Sequence, residues 1–377
     1  MTIGVLTEPA FEARVSLLPE AVATLVKKGI QVLVQQGAGD RSFSSDADYQ
    51  KSGATIHSRS EVIHGADLLL SIQLPPESEI NSLHSKVLIG IFQPLYNPML
   101  MQQLADSSVT SFSLDMLPRT TRAQGMDVLS SQANIAGYKG VLLAAVEYGR
   151  YMPMFMTAAG TIAPAKVLIL GAGVAGLQAI ATARRLGAVV EVFDTRPAVK
   201  EEVMSLGGKF IEVEGVADAS SAGGYAVEQS EEFMQRQKAR IAESIAKADI
   251  VITTAQIQGK KAPVLVTEEM ITHMRKGSVI IDLAAATGGN TEITEDNKTV
   301  EKHGVRIIGN SSLAATVPAD ASKLYGKNVL NFLQLITNAD GSLNLNFADD
   351  LVKGCCITRE GKIIHERISS LALKPAV

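Results

Sequence analysis

The chain has 377 residues, of which 46% are hydrophobic and 20% are charged, and its formal net charge is −4. This composition is typical of globular α/β proteins and excludes a disordered chain, and the slight acidic excess excludes the electrostatic footprint of a nucleic-acid or anionic-lipid binder. Because single cores rarely grow past about 250 residues, the length predicts two domains.

The sequence predicts a cytoplasmic protein with free thiols. Its first residues, MTIGVLTEPAF, lack the basic start and long apolar core of a signal peptide, and no run reaches the ~18 uncharged apolar residues of a membrane span. The two cysteines, Cys355 and Cys356, are adjacent and fit neither an unstrained disulfide nor a zinc spacing. The six histidines are scattered, so we expect no metal site.

Short apolar runs alternate with amphipathic ones over the first 115 residues. The runs TIGVL, IQVLVQ, ADLLLSI, KVLIGIF and VTSFSL predict strands, and LPEAVATLVKKG and NPMLMQQLAD predict helices between them. This alternation is typical of parallel sheets built from βα units, so it predicts a first doubly wound domain.

A polar joint, RTTRAQGMDVLSSQANIAGY, follows at residues 119–138, and the apolar stripe of residues 135–151 predicts a helix leading into a second domain. Six strands are predicted there, namely KVLIL, AVVEVF, KFIEV, DIVITTA, SVIIDL and VRIIG, enough for two mononucleotide-binding halves. After Gly309 a polar linker and a helix are expected to return to the first domain. The predicted fold class is therefore α/β, with two doubly wound parallel-sheet (Rossmann-like) domains, residues 1–132 plus 312–377 and residues 133–311, and a cleft between them.

The strongest motif of the chain is LGAGVAG, in which Gly171, Gly173 and Gly176 form GxGxxG after a predicted strand and at the start of a predicted helix. The first glycine permits a tight turn, the second lets the backbone approach a pyrophosphate, and the third lets the helix pack closely on the strand. The sequence therefore predicts a dinucleotide site.

Two residues bear on which dinucleotide is bound. Asp194 ends the next predicted strand, where a carboxylate accepts hydrogen bonds from the adenosine ribose and repels a 2′-phosphate. Arg196 is the opposing signal, since a nearby arginine can hold that phosphate. NAD(H) is predicted because the carboxylate occupies the strand end itself.

Other segments are candidates for the same site. The strand ends Thr254–Ala255–Gln256 and Asp282–Gly289 are expected near the ligand, because ligands lie beyond the carboxyl ends of parallel strands. The small, polar segment Gly215–Gln229 has two interpretations that stay open, a loop that closes over the cofactor or a surface connection.

The polar joint supplies the chemistry that hydride transfer requires. That reaction needs two rings held with the reacting carbons about 3–3.5 Å apart and groups that fix the nicotinamide carboxamide. Arg119, Gln124, Asp127 and Ser130 are suitable donors and acceptors at the expected mouth of the cleft. An Arg–Asp pair that only fastens a loop explains the same residues equally well.

Four segments occur in the order found in a known family: PRTTRAQGMDVLSSQANIAGYKGV, LGAGVAGLQAIATARRLGAVVEVFDTR, SAGGYA and GSVIIDLAAATGGN. With TEPAFEARVSLLPEAV and CCITREGKIIH they extend over nearly the whole chain. The sequence resembles the NAD(H)-binding component (alpha subunit, domain I) of proton-translocating nicotinamide nucleotide transhydrogenase, which is related to alanine dehydrogenase. The resemblance implies hydride transfer from NADH to NADP⁺ held by a partner subunit, coupled to proton movement through a separate membrane-spanning subunit.

The resemblance also implies residue roles. Arg119 and Ser130 would hold the carboxamide, Asp127 would orient Arg119, and Gln124 would reach toward the second nucleotide. The other implied cofactor positions are Thr120, Thr121, Val174, Asp194, Thr195, Arg196, Gly224, Tyr225, Gln237 and Gln256, with Thr254 and Ala255 added from the strand end. A homodimer, peripheral to the inner (plasma) membrane through its partners, is expected.

Two alternative functions remain. An alanine dehydrogenase would need a lysine, a histidine and a carboxylate where this chain has Gln73, Gln93 and Ala286, so oxidative deamination lacks its acid–base groups. A non-catalytic NAD sensor would need the dinucleotide site but not the polar joint.

Overall fold

The computed structural model describes residues 1–213 and 231–372. Within these ranges the chain forms two compact units. Unit 1 contains Met1–Gln132 and the segment from Ala314 onward, and unit 2 contains Ala133–Leu313. The role of the first domain in dimerisation stays a prediction.

Most strands are short and buried. In chain order they are β1 (Thr2–Val5), β2 (Gln31–Gln35), β3 (Thr55–His57), β4 (Leu68–Leu70), β5 (Val87–Gly90), β6 (Thr110–Ser113), β7 (Phe155–Thr157), β8 (Gly160–Ile162), β9 (Lys166–Leu170), β10 (Val189–Phe193), β11 (Lys209–Phe210), β12 (Ile250–Thr253), β13 (Val279–Asp282), β14 (Lys298–Lys302), β15 (Val305–Gly309), β16 (Cys356–Arg359) and β17 (Lys362–Ile363).

The helices lie between them, and several begin with Pro or a capping residue. They are α1 (Pro19–Val26), α2 (Asp46–Lys51), α3 (Arg59–Gly65), α4 (Pro98–Asp106), α5 (Val128–Glu147), α6 (Val174–Arg185), α7 (Lys200–Ser205), α8 (Glu231–Ile245), α9 (Glu268–Thr272), α10 (Pro318–Leu333), α11 (Asp350–Cys355) and α12 (Glu366–Ala372). None of the helices in the described ranges is long and apolar enough to cross a bilayer.

Unit 1 is built on a sheet with the strand order β17-β16-β6-β5-β4-β1-β2-β3. The strands from β6 to β3 are parallel, whereas β16 joins β6 antiparallel and so brings the C-terminal segment into this sheet. The predictions placed no strand at β3, β16 or β17, because these segments are short and lack an apolar run. Since β1 lies between β2 and β4, the topological switch point of the sheet is at the end of β1.

Unit 2 contains a sheet with the order β11-β10-β9-β12-β13-β15-β14. All pairs are parallel except β14–β15, and β14 is an edge strand that the prediction of six strands missed. Val167 and Ile169 pack into one core on one face of β9, and Leu168 and Leu170 into another on the opposite face. Apolar cores on both faces are what a parallel sheet requires.

The long helix α5 differs from its prediction. It begins at Val128, seven residues before the expected start at Ile135, and it ends at Glu147 rather than Tyr151. The Asp127 carboxylate accepts a hydrogen bond from the backbone N–H of Ser130 and thereby caps the first turn. The polar residues of that turn conceal the helix, because they interrupt the apolar stripe on which the prediction depended.

Candidate dinucleotide and hydride-transfer site

The glycine turn of unit 2 has the geometry that its spacing predicts. Gly171 follows β9 with φ +108°, and a Cβ there would collide with the side chain of Thr254. A Cβ at Gly176 would collide with the backbone carbonyl of Gly171. A Cβ at Gly173, in contrast, would meet no atom within 4 Å. The space beside Gly173 is therefore open for a ligand group.

This open space lies at the start of α6. Gly173 is the N-cap residue of the helix and provides no side chain to its free backbone N–H groups. Val174, the first helical residue, is 39% exposed. Free N–H groups and the positive end of a 12-residue helix suit a phosphate group. The residues present thus fit the pyrophosphate of a dinucleotide.

Asp194 and Arg196 form a bonded pair beside the glycine turn. The Asp194 Oδ1 atom accepts from the Arg196 backbone N–H and Nε at 2.8 and 3.0 Å. Its Oδ2 atom accepts from the Ala172 N–H at 2.7 Å and from Arg196 Nη2 at 3.0 Å. The bond to Asp194 raises the pKa of Arg196. Thr195 lies between the two residues and is half-buried.

The end of β12 reaches the same turn. Thr254 Oγ1 donates to the Gly171 carbonyl oxygen at 3.1 Å, and exposed Gln256 donates its amide to Leu283 O at 3.1 Å. The Ala255 N–H donates to Asn290 Oδ1 at 3.0 Å, while Asn290 Nδ2 donates to Ala255 O at 2.8 Å. Asn290 was not among the predicted site residues, although it directly follows the DLAAATGG run.

Asp282 in that run has a structural role. It is fully buried and accepts hydrogen bonds from the N–H groups of Ala284 and Asn290 and from the Thr294 hydroxyl. Its carboxylate therefore shapes the Asp282–Gly289 turn from inside. The run contributes to the site through its backbone and through Asn290.

The polar joint of unit 1 is a 3₁₀ helix, Thr121–Met126, followed by the first turn of α5. Asp127 Oδ2 accepts from the Ser130 hydroxyl at 2.5 Å, in addition to the capping bond from Ser130 N–H. Arg119, Thr120, Thr121 and Gln124 are exposed. The structure thus joins Asp127 to Ser130, and the orientation of Arg119 by Asp127 stays a prediction.

Three further predicted positions belong to the part of unit 2 between β11 and β12. Gly224 and Tyr225, like the whole Gly215–Gln229 segment, lie outside the described residues. Gln237 lies on α8 and is half-buried. In the described residues no group of three or more His, Cys, Asp or Glu side chains is placed to hold a metal ion.

A buried polar cluster at the switch point of unit 1 was not predicted. The Glu12 carboxylate accepts from Arg14 Nε at 2.8 Å and from Gln73 Nε2 at 3.2 Å. Burial works to raise the pKa of Glu12, but the bonds and charge of Arg14 outweigh it and hold that pKa below its usual value. Arg14 Nη1 donates to Gln132 at 2.7 Å. The guanidinium of Arg14 is thus committed inside the protein.

Glu8 lies in the same cluster and accepts from the N–H groups of Ile72 and Gln73 at 2.6 and 3.0 Å. Burial raises the pKa of Glu8 to about 7 despite these bonds. A sequence signal existed, since Glu8, Glu12 and Arg14 stand within seven residues after an apolar strand. Their burial depends on chain folding that the local pattern does not reveal.

Comparison with known proteins decides the family. The family descriptions "Alanine dehydrogenase/PNT, N-terminal domain" and "Alanine dehydrogenase/PNT, C-terminal domain" match residues 4–136 and 140–366. The chain belongs to the alanine dehydrogenase/PNT family. The predicted resemblance is confirmed, and so is the α/β fold class.

Within this family the chain is similar to transhydrogenase alpha subunits. It is 46% identical over 368 residues to an NAD(P) transhydrogenase subunit alpha protein of Rhodospirillum rubrum, covering 95% of this chain and 96% of that protein. A transhydrogenase structure from Sinorhizobium meliloti matches with a TM-score of 0.85 and 43% identity over 97% of this chain and 99% of that chain. Alanine dehydrogenase of Staphylococcus epidermidis is 29% identical, covering 87% and 85%. The chain is thus an oxidoreductase-family subunit of the NAD(P) transhydrogenase type.

Proposed function

We propose that this chain is the NAD(H)-binding subunit of a proton-translocating transhydrogenase, which exchanges hydride with NADP(H) on a partner subunit. The observation that carries the proposal is the open space at Gly173, between a helix N-terminus and the Asp194–Arg196 pair, in a chain of this family. The bound dinucleotide would supply the hydride chemistry. The protein's own residues bind and orient it.

The Asp194–Arg196 pair supports a preference for NAD(H) over NADP(H). A carboxylate offers about four acceptor positions, and those of Asp194 are taken by Ala172 and Arg196. Arg196 is thereby directed to a carboxylate rather than to a 2′-phosphate, which Asp194 would repel. A ribose hydroxyl can take over one of the bonds that Arg196 now makes.

The remaining predicted residues fit roles in orientation. The backbone at Gly173 and Val174 would hold the pyrophosphate, and Thr254, Ala255 and Gln256 lie at the adjoining strand end. Arg119, Thr120, Thr121 and Ser130 would hold the nicotinamide end. Exposed Gln124, whose side chain has no hydrogen bond to any described residue, is suited to reach the second nucleotide.

The buried cluster of unit 1 argues against an alanine dehydrogenase activity. Binding an amino-acid carboxylate needs a free cation, but Arg14 is paired with Glu12, and Gln73 donates to the same carboxylate. Neutral Gln93 and Ala286 add neither a base nor a charge. Hydride exchange between two nucleotides needs none of these groups.

Three partners are part of the proposal: a second copy of the chain, an NADP(H)-binding subunit and a membrane-spanning proton-conducting subunit. Support for the second copy comes from the β7–β8 hairpin of unit 2, in which all six strand residues are exposed. Residues 151–165, which contain the hairpin, have no charged residue. An isolated apolar hairpin is marginally stable in water and is stabilised by pairing. A cytoplasmic location, peripheral to the inner membrane through the partners, completes the proposal.

Mixing the purified chain with an NADP⁺-loaded partner subunit tests the function. We expect NADH to reduce a thionicotinamide analogue of NADP⁺ only when both proteins are present, and we expect no NAD⁺ reduction by alanine. Alanine oxidation by the chain alone would refute the proposal. NADH binding without exchange would favour the sensor alternative.

A further inference from the structure

Two asparagines of α10 converge on one backbone carbonyl of the polar joint. Asn328 Nδ2 and Asn331 Nδ2 donate to the Gly125 carbonyl oxygen at 2.9 and 2.7 Å. Asn328 Oδ1 also accepts from the Ser131 hydroxyl at 2.8 Å. Asn328 is only 8% exposed, so these bonds are largely shielded from water. All four residues belong to unit 1.

Gly125 and Ser131 stand on either side of the turn that contains Asp127 and Ser130. That turn is closed internally by the two bonds that Asp127 accepts from Ser130. Asn328 therefore holds a closed turn at both ends with one side chain. Its amide meets a demand for one donor and one acceptor that neither aspartate nor leucine of similar size could meet.

The other fixed point upstream is weaker. Arg122 pairs with Asp349 and Asp350, but its side chain is 51% exposed. Ion pairs at such positions contribute little, because water screens them. The asparagine bonds are thus the main shielded connection between the joint and α10.

Gly125 has a matching constraint. A Cβ at this position would lie 2.9 Å from Asn331 Nδ2, so a larger residue pushes the Asn331 amide away. The close approach of two amides to one carbonyl requires the absence of a side chain here. Gly125 is therefore part of the same arrangement.

We propose that Asn328 and Asn331 are positioning residues that set the place of Gln124, Asp127 and Ser130 for hydride transfer. The inference rests on the proposed function, in which this joint holds the nicotinamide. Loss of the clamp shifts the turn without removing any group that touches the cofactor. Because a misplacement of about 1 Å can cost roughly 100-fold in rate, the effect is expected on kcat far more than on NADH affinity.

The test uses the full chain with its NADP(H)-binding partner. We expect Asn328→Ala to lower kcat of NADH-dependent exchange at least tenfold, with the NADH Kd within about threefold of wild type. Asn331→Ala and Gly125→Ala should each give a smaller, similar loss, since both remove the same bond. Ser131→Ala should lower kcat, and Ser131→Thr, which keeps the hydroxyl, should restore it. Asn338→Ala, which removes an exposed bond to Ser342 in the same unit, is the matched control.

The emission of bound NADH is measured for every variant as a readout independent of exchange, with thermal unfolding as the check on folding. The expected result is an altered emission for Asn328→Ala and an unaltered one for Asn338→Ala. If wild type shows no exchange, the proposed function fails, and the emission comparison alone decides the clamp. Equal kcat and equal emission in Asn331→Ala, Gly125→Ala and wild type would overturn the inference while leaving the proposed function intact.

Discussion

Arg196 donates to both carboxylate oxygens of Asp194, from Nε to Oδ1 and from Nη2 to Oδ2, each at 3.0 Å. A residue that could have recruited a 2′-phosphate is thereby committed to the residue that repels one. Nucleotide preference at this strand end depends on the pair rather than on either residue alone. The pair also supports the glycine turn, because Asp194 accepts from Ala172.

Releasing Arg196 should change the nucleotide preference. We expect Asp194→Ser to raise the affinity for NADPH relative to NADH at least tenfold, since it removes a negative charge and leaves the guanidinium available. The loss of the Ala172 bond should lower the free energy of unfolding by about 1–3 kcal/mol. Fluorescence titration with both reduced nucleotides checks the ratio. Glu191→Gln on β10, which touches only exposed Lys209, is the control, and an unchanged ratio in Asp194→Ser would contradict the argument.

The glycine turn allows binding and folding to be separated. Gly173→Ala adds a methyl group to open space, so we expect normal thermal stability but NADH binding weakened about tenfold or more. Gly176→Ala drives a methyl group into the Gly171 backbone and should destabilise unit 2 by at least 1–3 kcal/mol, an estimate from overpacked cores. Differential scanning calorimetry and NADH titration distinguish the two effects. A stable Gly173→Ala variant with wild-type affinity would place the pyrophosphate elsewhere.

The local parts of this site could be predicted from the sequence. The GxGxxG spacing encodes a left-handed turn and two close backbone approaches, and Gly171 at φ +108° has this conformation. The strand ends after β9 and β12 follow from the βα alternation. The start of α5 was missed although its capping signal, Asp127 followed by Ser130, is local, because apolar periodicity was given more weight than the cap.

Long-range pairings could not be predicted. Asn328 and Ser131 are 197 residues apart, and the Glu8 bond to Gln73 spans 65. Nothing in either local pattern indicates the other, because the pairing depends on where α10 and β4 pack in the finished sheet. The saturation of Asp194 by Arg196 is local, but its geometry depends on the backbone turn between them. Composition and spacing locate such groups without stating their partners.

Burial of Glu8 should make stability depend on pH. Its pKa is raised from 4.5 to about 7, so the folded state retains a proton that the unfolded state has lost. Stability therefore falls as pH rises from about 4.5 to 7, by at most about 3 kcal/mol, and stays lower above that range. Glu12 and Arg14 face Glu8 and act in opposite directions on its pKa.

Glu8→Gln should flatten this part of the stability curve, because the amide does not titrate. Urea unfolding at pH 5, 6, 7 and 8 measures the slope for both proteins. Exposed Glu77→Gln in the same unit is the control and should retain the wild-type slope. A wild-type stability that rises between pH 5 and 7, with the same rise in Glu8→Gln, would show that Glu8 is not the titrating group.

The exposed hairpin leads to a prediction about assembly. Met156 on β7 is 71% exposed, and Phe155 beside it stacks on Tyr151 with ring centroids 5.1 Å apart. A contact between two identical copies places like charge against like charge, but residues 151–165 contain none, so self-pairing meets no repulsion here. Met156→Glu introduces one carboxylate per copy at this surface and should raise the dimer dissociation constant at least 100-fold. Sedimentation over a range of concentrations measures it. Val146→Glu, at an exposed apolar position of α5 outside the hairpin, is the control and should remain dimeric, whereas a Met156→Glu variant as dimeric as wild type would place the dimer interface on another surface.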